Sequence, residues 1–94
     1  MAIVLIKHPV EDYEKWKAEF DAFHDTRKSN GEQNYRIYRT IDDPNNLVAF
    51  FEWDNIDNAK AFLASSDLKD AMQEAGVSGQ PEITIMEIAD QGST

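Results

Sequence analysis

Ala2-Ile3-Val4-Leu5-Ile6-Lys7-His8 and Leu47-Val48-Ala49-Phe50-Phe51-Glu52-Trp53 decide the fold. In an extended chain, successive side chains face opposite ways. In the first stretch Ile3, Leu5 and Lys7 share one face, and Ala2, Val4, Ile6 and His8 the other. In the second, Leu47, Ala49, Phe51 and Trp53 oppose Val48, Phe50 and Glu52. Both stretches are largely apolar on both faces, which marks strands covered on two sides. Pro9 stops the first, because proline donates no ladder hydrogen bond.

Working outward, Gln33 to Ile41 alternates more weakly. Tyr35, Ile37, Arg39 and Ile41 oppose Arg36, Tyr38 and Thr40, a polarity that suits an edge strand. Asp42-Asp43-Pro44-Asn45-Asn46 is a turn by composition. Glu82 to Ala89 reads as a last strand, with Ile83 and Ile85 on one face and Met86 and Ile88 on the other.

Between the strands the period changes to that of a helix. Asp12 is a good N-cap, and Tyr13, Trp16, Phe20 and Phe23 recur at helical spacing, continued by His24 and Arg27. With Gly31 as its terminator, this predicts one helix of about five turns with an aromatic inner face. Asp57 is the expected cap of a second helix carrying Ala59, Phe62 and Leu63 inward. Ser65-Ser66-Asp67 breaks and restarts it, Leu68, Ala71, Met72 and Ala75 continue it, and Gly76 closes it.

The order strand, helix, strand, strand, helix, strand defines an α+β chain of ferredoxin-like βαββαβ topology with a four-stranded antiparallel sheet. Strands one and three are expected at its centre, running parallel. Residues 1–90 form a single domain on this reading, and residues 91–94 a polar tail.

A 94-residue chain is one domain. So small a domain buries only roughly 60–65% of its unfolded surface and gains from disulfides, metal or association. Cysteine is absent, which excludes disulfides, thiol catalysis and cysteine-based zinc sites. Two histidines are too few for the usual structural metal site, so no metal is expected. Association remains. Two helices cover one sheet face, and strands one, three and four carry apolar residues on both. A homodimer packed sheet against sheet would cover the second face.

The net charge of −9 repels phosphate backbones and anionic membranes, which argues against nucleic-acid and membrane partners. The first apolar run, Ala2 to Ile6, is too short for a signal peptide, and no segment approaches a membrane span. A cytoplasmic location is expected.

The opening Val10-Glu11-Asp12-Tyr13-Glu14-Lys15-Trp16 resembles the dimeric α/β-barrel superfamily. So do Tyr35-Arg36-Ile37-Tyr38-Arg39 with the turn Asp42-Asp43-Pro44-Asn45, Phe51-Glu52-Trp53, and the segment Ser66 to Val77. The resemblance covers nearly the whole chain and is nearest to the branch named after antibiotic-biosynthesis monooxygenases. It implies a dimeric α/β barrel with a pocket in each subunit between helices and sheet. In the monooxygenase members it implies oxidation of polycyclic phenols by oxygen without a cofactor. Haem-degrading relatives use an Asn on the first strand with a Trp and a His in the helical layer. Here Ala2 to Lys7 contains no Asn, and Asp57 to Ser65 contains neither Trp nor His, so that triad maps onto no residues of this chain.

His24, on the inner stripe with Trp16, Phe20 and Arg27, is the first candidate for a catalytic proton acceptor: near neutral pH a histidine can take a phenolic proton. The alternative is a histidine at the core rim, satisfied by a carbonyl or water. His8, at the end of strand one near Trp16, is a second proton acceptor or ligand contact, or a plain strand-end residue. Trp16, Phe20 and Phe62 either wall a slot for a flat aromatic ligand or fill a small core. Arg36 and Arg39 hold an anionic group or pair with surface acids. Glycine-rich phosphate loops and the common hydrolase motifs are absent. Two functions stay open: a cofactor-independent monooxygenase on a small flat substrate, and a non-catalytic ligand-binding or stress-associated dimer.

Overall fold

The computed structural model describes residues 2–94. In chain order it contains β1 (Ala2–Pro9), α1 (Tyr13–Ala22), α2 (His24–Asn30), β2 (Glu32–Arg39), β3 (Asn46–Trp53), α3 (Ile56–Leu63), α4 (Ser66–Glu74) and β4 (Glu82–Met86). The sheet order is β2-β3-β1-β4, with every neighbouring pair antiparallel. This is the ferredoxin-like βαββαβ fold, with the doubly apolar strands β1 and β3 at the centre and the polar β2 at an edge.

One expectation is corrected here. β1 and β3 are neighbours, but Ala2 faces Trp53 and His8 faces Leu47, so they run antiparallel. The parallel pair of the split βαβ unit is β1 and β2, which the helical crossover joins. The turn before β3 reverses the chain and slots β3 between them.

The helices cover the sheet face that carries Ala2, Val4, Ile6 and His8 of β1 and Leu47, Ala49, Phe51 and Trp53 of β3, all of them buried. The opposite face presents Leu5, Val48 and Phe50, half-buried, beside the exposed Tyr38 and Met86. The polar Lys7, Arg36 and Glu52 share it.

Several element boundaries differ from the sequence reading, and β2 runs Glu32–Arg39 and not Gln33 to Ile41. The first helix is broken at Phe23, whose backbone (φ −90°, ψ 4°) leaves the regular helical path. The Phe23 amide is shared between the carbonyls of Glu19 (3.1 Å) and Phe20 (3.2 Å), and the Arg27 guanidinium donates to the same Phe20 carbonyl. A side chain that competes for a helical carbonyl in this way holds a break open. The second helix is capped by Asn55, which accepts from the Asn58 amide at 2.8 Å, and not by Asp57, which lies in the first turn. β4 stops at Met86, short of Ala89. The restart at Ser65 is found, with its hydroxyl accepting from the Leu68 amide at 3.3 Å.

Gly31 ends α2 with φ +120°, a backbone conformation that disfavours other residues. A Cβ there would lie 2.5 Å from the Asp54 carboxylate, while the Asp54 amide donates to the Gly31 carbonyl at 2.9 Å. This contact pins the end of α2 to the end of β3 and sets where β2 starts.

Candidate functional site

Between the helices and the buried sheet face lies a cavity with about 60 Å³ of space open to the centre of a water molecule. Its floor is sheet: Val4, Ile6, Ala49 and Trp53. One wall is aromatic and comes mainly from α1. Trp16 and Phe20 stack with centroids 5.0 Å apart at 21°, and Phe20 meets the Tyr35 ring edge-on at 5.0 Å. The opposite wall is Phe62 and Leu63 of α3 with Leu68, Ala71 and Met72 of α4. Phe62 lies 4.9 Å from the Trp53 ring. No residue of α4 is fully buried, so this is the least anchored wall.

His8, Trp16, Phe20 and Phe62 all line the cavity. His24 does not. The break at Phe23 turns it off the inner stripe, leaving its side chain 56% exposed with Nδ1 3.2 Å from the carboxylate of Asp25. It lies on a shallow outer groove with Lys28, Asn34 and Tyr35. The expectation that His24 points into the helix–sheet layer is therefore corrected: it cannot reach a ligand held there. Arg36 and Arg39 also lie outside the cavity lining. The Arg39 guanidinium sits 4.2 Å from the centre of the Tyr13 ring, and its Nε donates to the Pro44 carbonyl at 3.0 Å.

His8 is 3% exposed. Its ring lies 5.8 Å from Trp16, and Nδ1 is 3.3 Å from the Pro9 carbonyl. That bond selects the tautomer with the proton on Nδ1, which leaves the Nε2 lone pair free. Burial pushes the imidazole below its ordinary value of 6.5, with the Pro9 bond opposing part of the shift. The ring is therefore neutral at pH 7 and is equipped to accept a proton.

The lowered His8 pKa has a sign for stability. Below about 6.5 the unfolded chain binds a proton that the folded chain resists, so His8 makes stability fall with acid until the lowered native pKa is reached. The limiting slope for one proton is about 1.4 kcal/mol per pH unit. Denaturation midpoints of the wild type and of His8→Asn, measured from pH 7.5 to 5, should diverge by this slope, with the variant flatter. Parallel curves would show that His8 titrates normally.

Besides His8 the cavity lining holds Glu19, Arg27 and Glu32, of which Arg27 and Glu32 are the buried ones. Arg27 and Glu32 are 3% and 9% exposed. Arg27 Nε donates to both carboxylate oxygens of Glu32, at 3.0 and 3.1 Å, and the guanidinium carbon lies 3.6 Å over the Phe20 ring. Burial pushes the Glu32 carboxyl up from its ordinary 4.5, and the charge and hydrogen bond of Arg27 oppose the shift. Glu32 is turned inward by a β-bulge. It pairs with Trp53, yet Asn34 two residues on pairs with Glu52, on the opposite face. Regular alternation would put Glu32 and Asn34 on one side; the extra residue Gln33 re-aims Glu32 toward Arg27. Sequence reading placed Arg27 on the inner stripe but missed its partner. The available signal was a buried-spaced arginine followed five residues later by an acid, since arginine is almost never fully buried unpaired.

A four-stranded antiparallel ferredoxin-like sheet with helices packed on one face is the fold of the dimeric α/β-barrel superfamily. Residues 1–74 match the antibiotic biosynthesis monooxygenase family, and the chain belongs to it. Among solved structures it is similar to SnoaB, a cofactor-independent oxygenase from Streptomyces nogalater, with 14% identity, TM-score 0.78, and 96% of this chain and 94% of that one covered. It is also similar to a Deinococcus radiodurans protein assigned to the antibiotic biosynthesis monooxygenases, with 18% identity, TM-score 0.70, and 100% and 98% covered. A conserved protein from Methanosarcina mazei gives 21% identity, TM-score 0.70, and 92% and 91% covered. No curated protein matches the sequence significantly. Among the described residues, no helix is long and apolar enough to cross a membrane.

Proposed function

We propose that this chain is a cytoplasmic, homodimeric, cofactor-independent monooxygenase acting on a small flat phenol. The observation that carries the reading is His8: a buried imidazole on a largely apolar cavity, with Nδ1 tied to the Pro9 carbonyl. His8 takes the phenolic proton, and the electron-rich phenolate ring reacts with oxygen directly. One oxygen atom enters the ring and the other leaves as water with the two hydrogens removed, so one phenol and one oxygen molecule give one quinone and one water. His8 thus takes the place assigned to His24 from sequence. Trp16, Phe20 and Phe62 hold the ring flat. A substrate larger than a single ring requires outward movement of α4, the wall with no fully buried residue.

Oxygen uptake with a panel of monocyclic and bicyclic phenols tests this reading. Uptake that tracks quinone formation one to one supports it. Saturable binding without uptake favours the second reading, a non-catalytic small-ligand-binding dimer. The small cavity and the absence of the haem-degrading triad are the observations behind that alternative.

The dimer is assigned to the open sheet face, where Leu5, Val48 and Phe50 form an apolar centre. Phe50→Asp places a charge there, away from the cavity lining. The wild type is expected to elute with twice the chain mass of 10.7 kDa in light-scattering chromatography, and Phe50→Asp at the single-chain mass. A monomeric wild type would remove the dimer from the proposal.

A further inference from the structure

We infer that the two sheets of the dimer meet in one register, with Lys7 of each chain set against Glu52 of the other. The inference rests on the sheet-face dimer proposed above and adds which residues meet across it. The strand pairings lay out the open face as a grid. Leu5 and Phe50 stand side by side at its centre, flanked by Arg36 on β2 and Thr84 on β4. Because β1 and β3 are antiparallel, two residues on from Leu5 and two residues on from Phe50 lie in opposite directions. Lys7 and Glu52 are therefore diagonal corners around the apolar centre. Their midpoint is the midpoint of Leu5 and Phe50. With strands about 4.8 Å apart and about 3.4 Å per residue, they stand about 14 Å apart on a line about 20° from the strands.

Within one chain neither charge is matched. Among the described residues the ion pairs are Lys17–Asp21, His24–Asp25 and Arg27–Glu32. Lys7 is exposed and pairs with no acid of its own chain, although Glu82 is its neighbour on β4. Glu52 is half-buried and meets a neutral amide, Asn34 Nδ2 at 3.0 Å.

Two-fold symmetry makes the diagonal self-complementary. Identical faces that stack are related by an axis lying between them. An axis through the midpoint, at right angles to the Lys7–Glu52 line, sets Lys7 over the partner's Glu52 and repeats the contact in reverse. It also lays Leu5 and Phe50 on their own copies, which closes the apolar centre. The same axis fixes the angle between the sheets. Each set of strands lies about 20° from the diagonal, so the two sets cross at about 40°, and the right-handed crossover from β1 to β2 makes the sense of crossing negative. Stacked sheets prefer about −30° because of their twist. Charge and twist thus select one arrangement by independent routes.

Charge reversal, read by sedimentation equilibrium, tests the register. Lys7→Glu sets acid against acid at two points of the dimer, and Glu52→Lys sets base against base. Each variant alone should raise the dimer dissociation constant by about a hundredfold or more, the scale of opposed like charges. Mixed in equal amounts, the two variants should form a heterodimer of near wild-type affinity, because every contact again joins opposite charges. If Glu52→Lys does not fold, the cysteine-free chain offers a second route. Lys7→Cys/Glu52→Cys, treated with a bis-maleimide matched to the ~10 Å between stacked sheets, should give covalent dimers linked from position 7 to position 52. Links from 7 to 7 or 52 to 52 overturn the register. So does equal rescue of Lys7→Glu by Glu82→Lys, which would give the lysine another partner. Reversals that leave a dimeric wild type unchanged overturn the register and leave the dimer standing. A monomeric wild type removes both.

Discussion

Glu32→Ala is expected to cost about 3–5 kcal/mol, the cost of leaving one member of a buried ion pair alone, and to lower the melting temperature by roughly 15 °C or more for a domain of this size. The substitution removes few apolar contacts. The damage comes from Arg27, which would keep its charge at 3% exposure with only the Phe20 carbonyl and the Phe20 and Tyr35 rings around it. Removing both charges together is a different matter. Replacing a buried pair by apolar residues of similar size is often neutral or stabilising, so Arg27→Met/Glu32→Leu should recover most of the loss. Urea titrations of the wild type, both single variants and the double variant form a thermodynamic cycle. They need a fixed protein concentration, because association contributes to apparent stability. A double variant as unstable as the sum of the single variants would show that the two side chains act separately.

The same pair shows where sequence reading stops. The aromatic stripe Trp16, Phe20 and Phe23 and the two central strands follow from periodicity alone, because each burial pattern repeats at the spacing of its element. Phe62 followed in the same way; Trp16, Phe20 and Phe62 are buried in the structure and Phe23 is half-buried. Glu32 did not, since its inward turn depends on the bulge at Gln33, a single unpaired residue that inverts the alternation before it. His24 failed for the related reason that one residue of irregular backbone, Phe23, resets the helical phase after it. A helix advances 100° per residue, so the stripe that places Phe20 inward says little about a residue beyond a break. The break itself is stabilised by Arg27 reaching back to the Phe20 carbonyl, a contact across seven residues that no local pattern encodes. Strand direction failed differently: the element order was right, but which pair is parallel follows from how the turn before β3 reverses the chain.

His8→Asn is expected to lower kcat/KM for phenol oxidation by about 10²–10⁴-fold, the range over which a positioned general base acts. Asparagine keeps a donor for the Pro9 carbonyl and a similar shape on β1, but it cannot accept the phenolic proton. His24→Ala should leave the rate within about twofold, because that ring is exposed on the far side of the break. The pH profile separates a base from a packing residue. With His8 as the base, kcat/KM should fall on the acid side with an apparent pKa below 6.5, because burial disfavours the imidazolium. No such limb would appear if substrate ionisation in solution supplied the phenolate; the profile would then follow the phenol's own pKa on the alkaline side. Steady-state oxygen uptake from pH 5 to 9, with two phenols of different acidity, distinguishes the cases. An acid limb that stays fixed between substrates and disappears in His8→Asn assigns the proton to His8. A limb that moves with the phenol, or a variant with unchanged rate, assigns it elsewhere and reduces His8 to a wall of the cavity. Because His8 lies on a central strand and Trp16 packs against it at 5.8 Å, the variant's melting temperature at pH 8 must match the wild type before its rate is read as chemistry.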